Sequence, residues 1–302
     1  MHGIQEEEWI MNSLYQAFDP IFGILHTSRG MVRKRPLLMI GLAILTLMCL
    51  IAIFAPFIAP HDPNEQSLKD RFKGPCLEYP LGTDQFGRCV MSRIIYGSQT
   101  SLAVAVITTI IVVGIGLTVG LYAGYYRKLD GLLMRFTDIM LAFPSMVITL
   151  ALVGILGPSV PTIIMALAIP GWAKYARVAR ATTLSLKNRG FVESARALGA
   201  KDRYIIFHHI LPNSLAPIME IATLGLGGKI ISIAGLGFLG LGIQPPTPEW
   251  GTIMNQGLPY LAKAPLITLS AGAMIILFVL STNLIGSEVR EVMDPKSDSM
   301  VI

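Results

Sequence analysis

Six long apolar segments constrain the fold of this chain more than any other feature of its sequence. A helix needs about 20 apolar residues to cross the hydrocarbon core, and only helices and closed barrels satisfy their backbone hydrogen bonds in lipid. Charged residues make up 14% of the chain, against about 25% in a soluble domain. The sequence therefore predicts an all-α membrane protein with six transmembrane helices, at residues 36–59, 99–126, 129–156, 160–180, 211–241 and 265–285.

The positions of lysine and arginine predict the orientation of these spans. Six spans place both termini on one side of the membrane, together with seventeen of these basic residues. The opposite side holds six, which are Lys69, Arg71, Lys73, Arg88, Arg93 and Lys263. Because cytoplasmic loops carry the excess of basic residues, we expect both termini to be cytoplasmic. This rule accounts for the net charge of +5, so the charge does not indicate nucleic-acid binding.

The predicted spans divide the chain into four parts. Residues 1–35 form a cytoplasmic tail, and residues 36–98 hold the first span and an external segment. Residues 99–286 form the transmembrane core, which includes a cytoplasmic loop at residues 181–210. Residues 287–302 form a second cytoplasmic tail.

The loop at residues 181–210 carries the most specific pattern of the chain. It reads Glu193-Ser-Ala-Arg-Ala-Leu-Gly199 and is followed by Leu211-Pro212. We expect a short helix capped by Asn188, with Glu193 in the first turn, where the helix dipole favours a carboxylate. The small residues Ser194 and Ala195 let a partner surface come close, and Gly199 permits a sharp change of direction. From the spacing alone, an ordinary basic loop remains an alternative.

Several further stretches occur in the same order as in one family of membrane proteins. The loop pattern, with Ser194 at a position that is usually alanine, resembles the coupling signature of C-type permeases from dipeptide and oligopeptide ABC importers. The other stretches similar to that family are Leu81-Gly-Thr-Asp84-Gln-Phe-Gly-Arg88, Asp138 with Phe143-Pro144, Tyr175-Ala-Arg177-Val-Ala-Arg180, Leu239-Gly-Leu-Gly242 with Gln244-Pro-Pro-Thr-Pro-Glu-Trp250-Gly251, and Asp294-Pro295.

The resemblance implies the type I ABC importer permease fold in a bacterial cytoplasmic membrane. It implies a heterodimer with a homologous B-type permease, two ATPase subunits and an extracytoplasmic substrate-binding protein. The substrates would be di- or oligopeptides, with nickel or another metal chelate as the alternative. ATP and Mg²⁺ would bind the ATPases, and this chain would bind no cofactor. The loop from Glu193 to Gly199, with Leu211 and Pro212, would transmit ATPase motion to the spans.

Other classes of protein find little support in the sequence. The chain has no Walker A pattern, and the Gly-x-Gly-x-x-Gly stretch at residues 235–240 lies outside any βαβ unit, so neither indicates nucleotide binding. The five histidines lie outside the predicted spans, so no intramembrane metal or catalytic cluster is expected. An autonomous secondary carrier would need several charges or broken helices near the midplane in repeated halves. That reading is the alternative from a different class.

The three ionisable residues furthest from the ends of their predicted spans are Asp138, Glu220 and Lys229. Because a charge at the bilayer centre costs at least about 2.5–3.5 kcal/mol, such residues face protein or water. Asp138 is one turn from Arg135, which favours a local salt bridge, and Glu220 lies early in its span. Lys229 is the deepest. It either lines the translocation path, where a lysine would favour peptide carboxylates, or extends toward an interface.

Two further features leave alternatives open. Gly116, Gly120 and Gly124 form a small-residue stripe that brings a helix close, either within this chain or from a second permease. Cys76 and Cys89 lie in the external segment, where they form a disulfide or remain free thiols. The family-like stretch around Gln85 in the same segment is expected to contact the binding protein or the partner permease.

Overall fold

A computed structural model describes residues 35–293 of the chain. The predicted tails at residues 1–35 and 287–302 lie mostly outside this range. Within it the fold is helical, and the single β-bridge joins Thr83 to Cys89. The helices are α1 (Pro36–Ile53), α2 (Ala55–Ile58), α3 (Val90–Tyr125), α4 (Arg127–Ala142), α5 (Ser145–Leu156), α6 (Val160–Gly171), α7 (Ala173–Leu186), α8 (Gly190–Ala197), α9 (Asp202–Ile205), α10 (Leu211–Phe238), α11 (Trp250–Gly257) and α12 (Pro265–Met293).

Four helical stretches of the described chain are long and apolar enough to cross a membrane. They are α1, α3, the continuous stretch Asp202–Phe238 that includes α10, and α12. A fifth is obtained if α4 and α5, which meet at 82°, are counted as one broken span. The predicted first, fifth and sixth spans are therefore long helices, and the second begins at Val90 rather than at residue 99. By this criterion the predicted count of six is not reached.

The predicted third span is not one straight helix. Its two halves, α4 and α5, are separated at Phe143 and Pro144, and Phe143 has an extended backbone. Proline lacks a backbone N–H and disfavours helical geometry at the residue before it. Pro144 therefore ends α4 and allows α5 to leave in a new direction.

The predicted fourth span is also divided, although its backbone stays helical. Trp172 separates the apolar α6 from the more polar α7. Pro170 inside α6 lacks the N–H that would bond to the carbonyl of Ala166. The hydroxyl of Thr149 in α5 donates to that carbonyl at 3.1 Å, which satisfies the acceptor and joins α5 to α6.

The glycine stripe of α3 packs within this chain. A Cβ atom on Gly116 would lie 2.5 Å from the Cβ of Tyr175, and one on Gly124 would lie 2.6 Å from the Cβ of Thr183. Gly120 lies equally close to Ala179. These three neighbours belong to α7, so the intrachain alternative for the stripe is correct. Because the backbones of α3 and α7 lie close together, α7 is held against α3. The chain continues from α7 into α8.

One core joins the long helices. Buried side chains from α1, α3, α6, α10, α11 and α12 form a single cluster that includes Met48, Leu102, Ile163, Ile230, Trp250 and Phe278. A second cluster fills the space between α3, α7 and α10. A third, smaller cluster lies under α8 and α9 and supports the loop described next.

Candidate functional site

The loop predicted at residues 181–210 starts later, at Lys187, because α7 continues to Leu186, and it holds a short helix with a defined end. In α8 the N–H of Gly199 donates to the carbonyl of Arg196, and the N–H of Ala200 donates to that of Ala195, both at 3.0 Å. These two bonds form a Schellman motif, which needs a left-handed residue at its turn. Gly199 supplies it with a φ of +87°. The predicted change of direction at Gly199 is therefore confirmed, and its cause is the backbone conformation.

The start of α8 differs from the expectation. The residue at the N-cap is Arg189 rather than Asn188, and no side chain caps the helix. Glu193 does lie in the first turn, as predicted. The exposed N–H groups there are stabilised by the nearby carboxylate through the helix dipole, worth about 0.3–1 kcal/mol at a surface.

One buried side chain fixes α8 to the rest of the protein. Val192 is fully buried and packs in the third core cluster with Leu121 of α3 and with Ile205, Ile206 and Ile210. Burying a valine contributes about 1.5–3 kcal/mol. The helix is therefore packed against the end of α3 and the stretch that leads into α10.

The outward side of α8 is exposed and partly apolar. Leu198 is 89% exposed and Phe191 is 43% exposed. Glu193 and Ser194 are exposed beside them, and Ala195 is half-buried. The carboxylate of Glu193 makes no ion pair within 4 Å among residues 35–293. The loop thus presents two large apolar side chains and an exposed carboxylate on α8 and at its C-terminal end.

The chain returns from the loop through an irregular helix. A π-helical turn covers Ile206–Ile210, and the N–H of Leu211 donates to the carbonyl of Ile206. Pro212 follows in the first turn of α10. In a regular α-helix its ring would clash with the carbonyl four residues earlier, and the wider π turn avoids this clash. Leu211 and Pro212 therefore determine how the loop joins α10.

Lys229, the deepest predicted charge, lines a cavity between α5, α6 and α10. The cavity has a volume of about 220 Å³. Lys229 is 8% exposed, and its Nζ donates to the carbonyl of Leu167 at 3.3 Å. The side chain reaches Gly171, where a Cβ atom would lie 2.7 Å from Nζ. It therefore points into the protein and does not extend along α10 toward an interface.

The other two predicted charges pair across helices. Asp138 accepts from Nη2 of Arg177 in α7 at 2.6 Å, so the expected partner Arg135 on the same helix was wrong. Both side chains of this pair are about 60% exposed, which limits its contribution to about 0–1 kcal/mol. Glu220 lies 3.6 Å from Nε of Arg290 in α12. Sequence spacing could not identify partners that only helix packing brings together.

A cluster of charges at the end of the 59–89 segment, which lies between α2 and α3, is buried inside this chain together with Arg93 of α3. Asp84 accepts from Nε of Arg88 at 2.6 Å and lies 3.8 Å from Nε of Arg93. Both arginines donate to Oε1 of Gln256 in α11 at 3.3 Å. Asp84, Arg88 and Arg93 are at most 3% exposed. Gln85 is also buried, so within this family-like stretch it offers little surface to another protein.

A buried glutamate caps α11 beside this network. Glu249 accepts from the N–H groups of Gly251 and Thr252 at 2.8 Å, and from the hydroxyl of Ser101 in α3 at 3.3 Å. Burial raises the pKa of the Glu249 carboxyl, whereas these hydrogen bonds act in the opposite direction. The cap thereby joins α11 to α3.

Cys76 and Cys89 are not bonded to each other. Cys76 is exposed, and its Sγ accepts from the N–H of Tyr79 at 3.4 Å. Cys89 is buried at the N-cap of α3, where its backbone pairs with Thr83. The two thiols are held in separate surroundings, so the free-thiol alternative describes this structure. Among residues 35–293 no group of three or more potential ligands could hold a metal ion.

The structure also adds one residue to the candidate site. Lys174, counted from sequence with the cytoplasmic charges, lines the same cavity as Lys229. Its ammonium lies 5.0 Å from the ring centroid of Tyr175. The change from the apolar α6 to the more polar α7 indicated that the chain leaves the membrane in this region. However, no feature of the sequence indicated that Lys174 lies toward α10.

The sequence matches two described families. Residues 116–298 match the family described as "Binding-protein-dependent transport system inner membrane component". Residues 30–75 match the N-terminal transmembrane domain of oligopeptide transport permease C. Together these matches include the 59–89 segment only in part and the 187–210 loop completely.

Curated relatives resemble the chain over most of its length. The dipeptide transport system permease protein DppC of Alkalihalophilus pseudofirmus is 45% identical over 89% of this chain and 88% of the relative. The di/tripeptide transport system permease protein DppC of Pseudomonas aeruginosa is 39% identical over 85% and 87%. The glutathione transport system permease protein GsiD of Escherichia coli is 40% identical over 87% and 88%.

Among solved structures, the fold is similar to a chain of the MetNI methionine ABC transporter in an inward-facing conformation. The TM-score is 0.56, with 20% sequence identity, over 68% of this chain and 98% of that chain. At this identity the likeness concerns the fold alone.

Proposed function

The chain belongs to the family of inner-membrane components of binding-protein-dependent transport systems, and from that premise we propose that it passes di- or oligopeptides across the cytoplasmic membrane as one permease subunit of an ATP-driven importer. The relatives named for dipeptides, di/tripeptides and glutathione support this substrate class. They favour it over a nickel or metal-chelate importer.

The observation that carries this proposal is the exposed face of α8. A short helix with Leu198 and Phe191 in solvent, and with Val192 anchored in the core, is suited to a groove on another protein. We propose that two ATPase subunits provide such grooves, one for this chain and one for a homologous B-type permease. ATP and Mg²⁺ would bind those ATPases. An extracytoplasmic protein would deliver the peptide.

We further propose six membrane crossings with both termini in the cytoplasm. The crossings would be α1, α3, the bent pair α4 and α5, the pair α6 and α7, α10, and α12. The seventeen-to-six distribution of basic residues supports this orientation. A reporter enzyme that is active only in the cytoplasm, fused after Ile302, is expected to be active. An inactive fusion with a stable chain would invert the topology.

The mechanism follows from how α8 is attached. When the ATPases close on ATP, a helix seated in their groove moves as a rigid body. The buried Val192 cluster passes that motion to the end of α3 and the start of α10. The spans would then alternate between inward- and outward-open arrangements around the peptide path.

Reconstitution tests this function directly. Vesicles with this chain, its partner permease, the ATPases, ATP and a loaded binding protein are expected to take up a dipeptide. Vesicles that lack the ATPases, or that carry an ATPase unable to hydrolyse ATP, are expected to take up none. Uptake by this chain alone, without ATP, would instead identify an autonomous secondary carrier.

A further inference from the structure

We propose that Lys174 and Lys229 form a binding site for the carboxylate group of the transported peptide. The site is the cavity between α5, α6 and α10, and the inference rests on the proposed function because it assumes that the cavity adjoins the peptide path. It adds Lys174 to the path and gives a chemical reason for peptides as the substrate class.

The lining of the cavity is suited to an anion. It contains two lysines, three hydroxyl side chains and no aspartate or glutamate. The hydroxyls belong to Ser145, Thr149 and Ser232. The hydroxyls of Thr149 and Ser232 already donate to backbone carbonyls. The donors that remain for a carboxylate are the two ammonium groups and the hydroxyl of Ser145, and the wall holds no carboxylate that would repel it. The chemistry of the wall therefore selects negative over positive ligands.

The two ammonium groups lack a counter-charge in the described part of the chain. Neither lysine makes an ion pair within 4 Å there. Lys229 donates to one backbone carbonyl, that of Leu167, although an ammonium has three donors. Lys229 is buried and Lys174 is exposed, and two like charges that line one cavity repel each other until an anion enters. A peptide carboxylate supplies that anion.

Glycine residues keep space beside each lysine. A Cβ atom on Gly171 would lie 2.7 Å from Nζ of Lys229, and one on Gly225 would lie 3.6 Å from Nζ of Lys174. The buried hydroxyl of Tyr175 also lies against Gly225 and has no hydrogen-bond partner among residues 35–293. A side chain at position 171 would therefore displace the ammonium of Lys229, and one at position 225 would displace the hydroxyl of Tyr175, which a Cβ atom there would overlap.

The size of the cavity limits what it holds. Ligand pockets for drug-sized molecules measure about 300–1,000 Å³, and this one measures about 220 Å³. It therefore accommodates one end of a peptide, and the remainder lies along the path. An end that carries only a carboxylate and a backbone amide is common to all unmodified peptides, so the site does not depend on side-chain sequence.

The first experiment measures attraction of anions without transport. In a chain whose three native cysteines are replaced by serine, Lys229→Cys is introduced and the assembled transporter is treated with an anionic or a cationic methanethiosulfonate reagent. Beside Lys174 the anionic reagent is expected to react about tenfold faster. With Lys174→Met added, that preference is expected to disappear. Equal rates for both reagents beside an intact Lys174 would overturn the proposed site.

The second experiment measures transport of Ala-Ala and of its C-terminal amide, each with the binding protein saturated. Lys229→Met and Lys174→Met are expected to reduce Ala-Ala uptake about tenfold, the effect of losing one charge-assisted hydrogen bond, and to change amide uptake less than about twofold. Lys69→Met, an exposed lysine in the 59–89 segment, is the control and is expected to change neither.

The results separate this inference from the proposed function. Equal losses for the acid and the amide, with intact assembly, would assign both lysines a structural role and overturn the carboxylate site. Normal uptake of both substrates would also overturn it. If the wild-type transporter takes up no Ala-Ala at all, the proposed function fails, and the reagent preference still decides whether the cavity attracts anions.

Discussion

The 59–89 segment and the 187–210 loop both join membrane helices, and both contain stretches that resemble the same family. In the first, Asp84 and Arg88 are buried and paired, and they contact Arg93 of α3 and Gln256 of α11 respectively. In the second, Glu193 and Leu198 are exposed and make no such contacts. Of two stretches that resemble the same family, one thus stabilises the interior of this chain and the other exposes a surface to solvent.

The physical reason for the difference is where each stretch finds its partners. Asp84 and Arg88 at the end of the 59–89 segment pair with each other and contact Arg93 of α3 and Gln256 of α11, so this part folds as a cap on the two helices. The loop is anchored by Val192 and by a hydrogen bond from Tyr125 of α3 to Asp202, and it leaves the carboxylate of Glu193 and the apolar side chain of Leu198 exposed to solvent. Substitutions in the first are therefore expected to change stability, and substitutions in the second to change association.

The largest effect is expected for Asp84→Asn. This change leaves two buried arginines without a carboxylate, which is expected to cost about 3–5 kcal/mol and to lower the unfolding temperature of the purified chain. The control is Asp138→Asn, which breaks an exposed pair and is expected to cost less than about 1 kcal/mol. Equal unfolding temperatures for the two variants would show that the buried network does not hold the cap.

The next largest effect is expected for Gly199→Asp. A side chain at a φ of +87° is strained by about 1–2 kcal/mol, and the added charge opposes burial against a partner. We expect the chain to insert normally, to co-purify poorly with the ATPases and to lose transport. Gly190→Ala in the same helix, where a Cβ atom meets nothing within 4 Å, is the control. A Gly199→Asp transporter that works at the wild-type rate would mean that coupling uses another surface.

A smaller effect is expected for Leu198→Ser. Because Leu198 is exposed in the isolated chain, stability should change by less than about 0.5 kcal/mol. Loss of an apolar interface anchor is expected to weaken ATPase association about tenfold, as measured by titration in detergent. The matched control is Leu77→Ser in the 59–89 segment, a fully exposed leucine. Similar weakening by both variants would remove the distinction between the two regions.

The smallest effect is expected for modification of Cys76. A membrane-impermeant maleimide added outside the cell is expected to label Cys76, because that thiol is exposed, and to leave the buried Cys89 unlabelled until the protein is denatured. Stability should not change. Labelling that appears only after a reductant is added would indicate a disulfide, and labelling of Cys89 in the native protein would indicate that the cap opens.

Much of the fold was accessible from the sequence because lipid imposes a simple length requirement. The apolar segments at residues 36–59, 211–241 and 265–285 are helices, and Gly199 turns the chain where the loop pattern predicted it. The sequence contains a proline at position 144, but we predicted one continuous span across it, and the structure shows a break there. A proline indicates where a helix can change direction, whereas the packing of neighbouring helices decides whether it does.

By itself the sequence determined which long apolar segments are helical, and through its motifs it determined the family to which the chain belongs. These properties follow from local composition and spacing. Only the tertiary structure decided that Asp138 pairs with Arg177, that the glycine stripe packs on α7, and that Lys174 joins Lys229 in one cavity. Each of these depends on contacts between residues far apart in the chain, and such contacts are set by how helices pack, which no local pattern encodes.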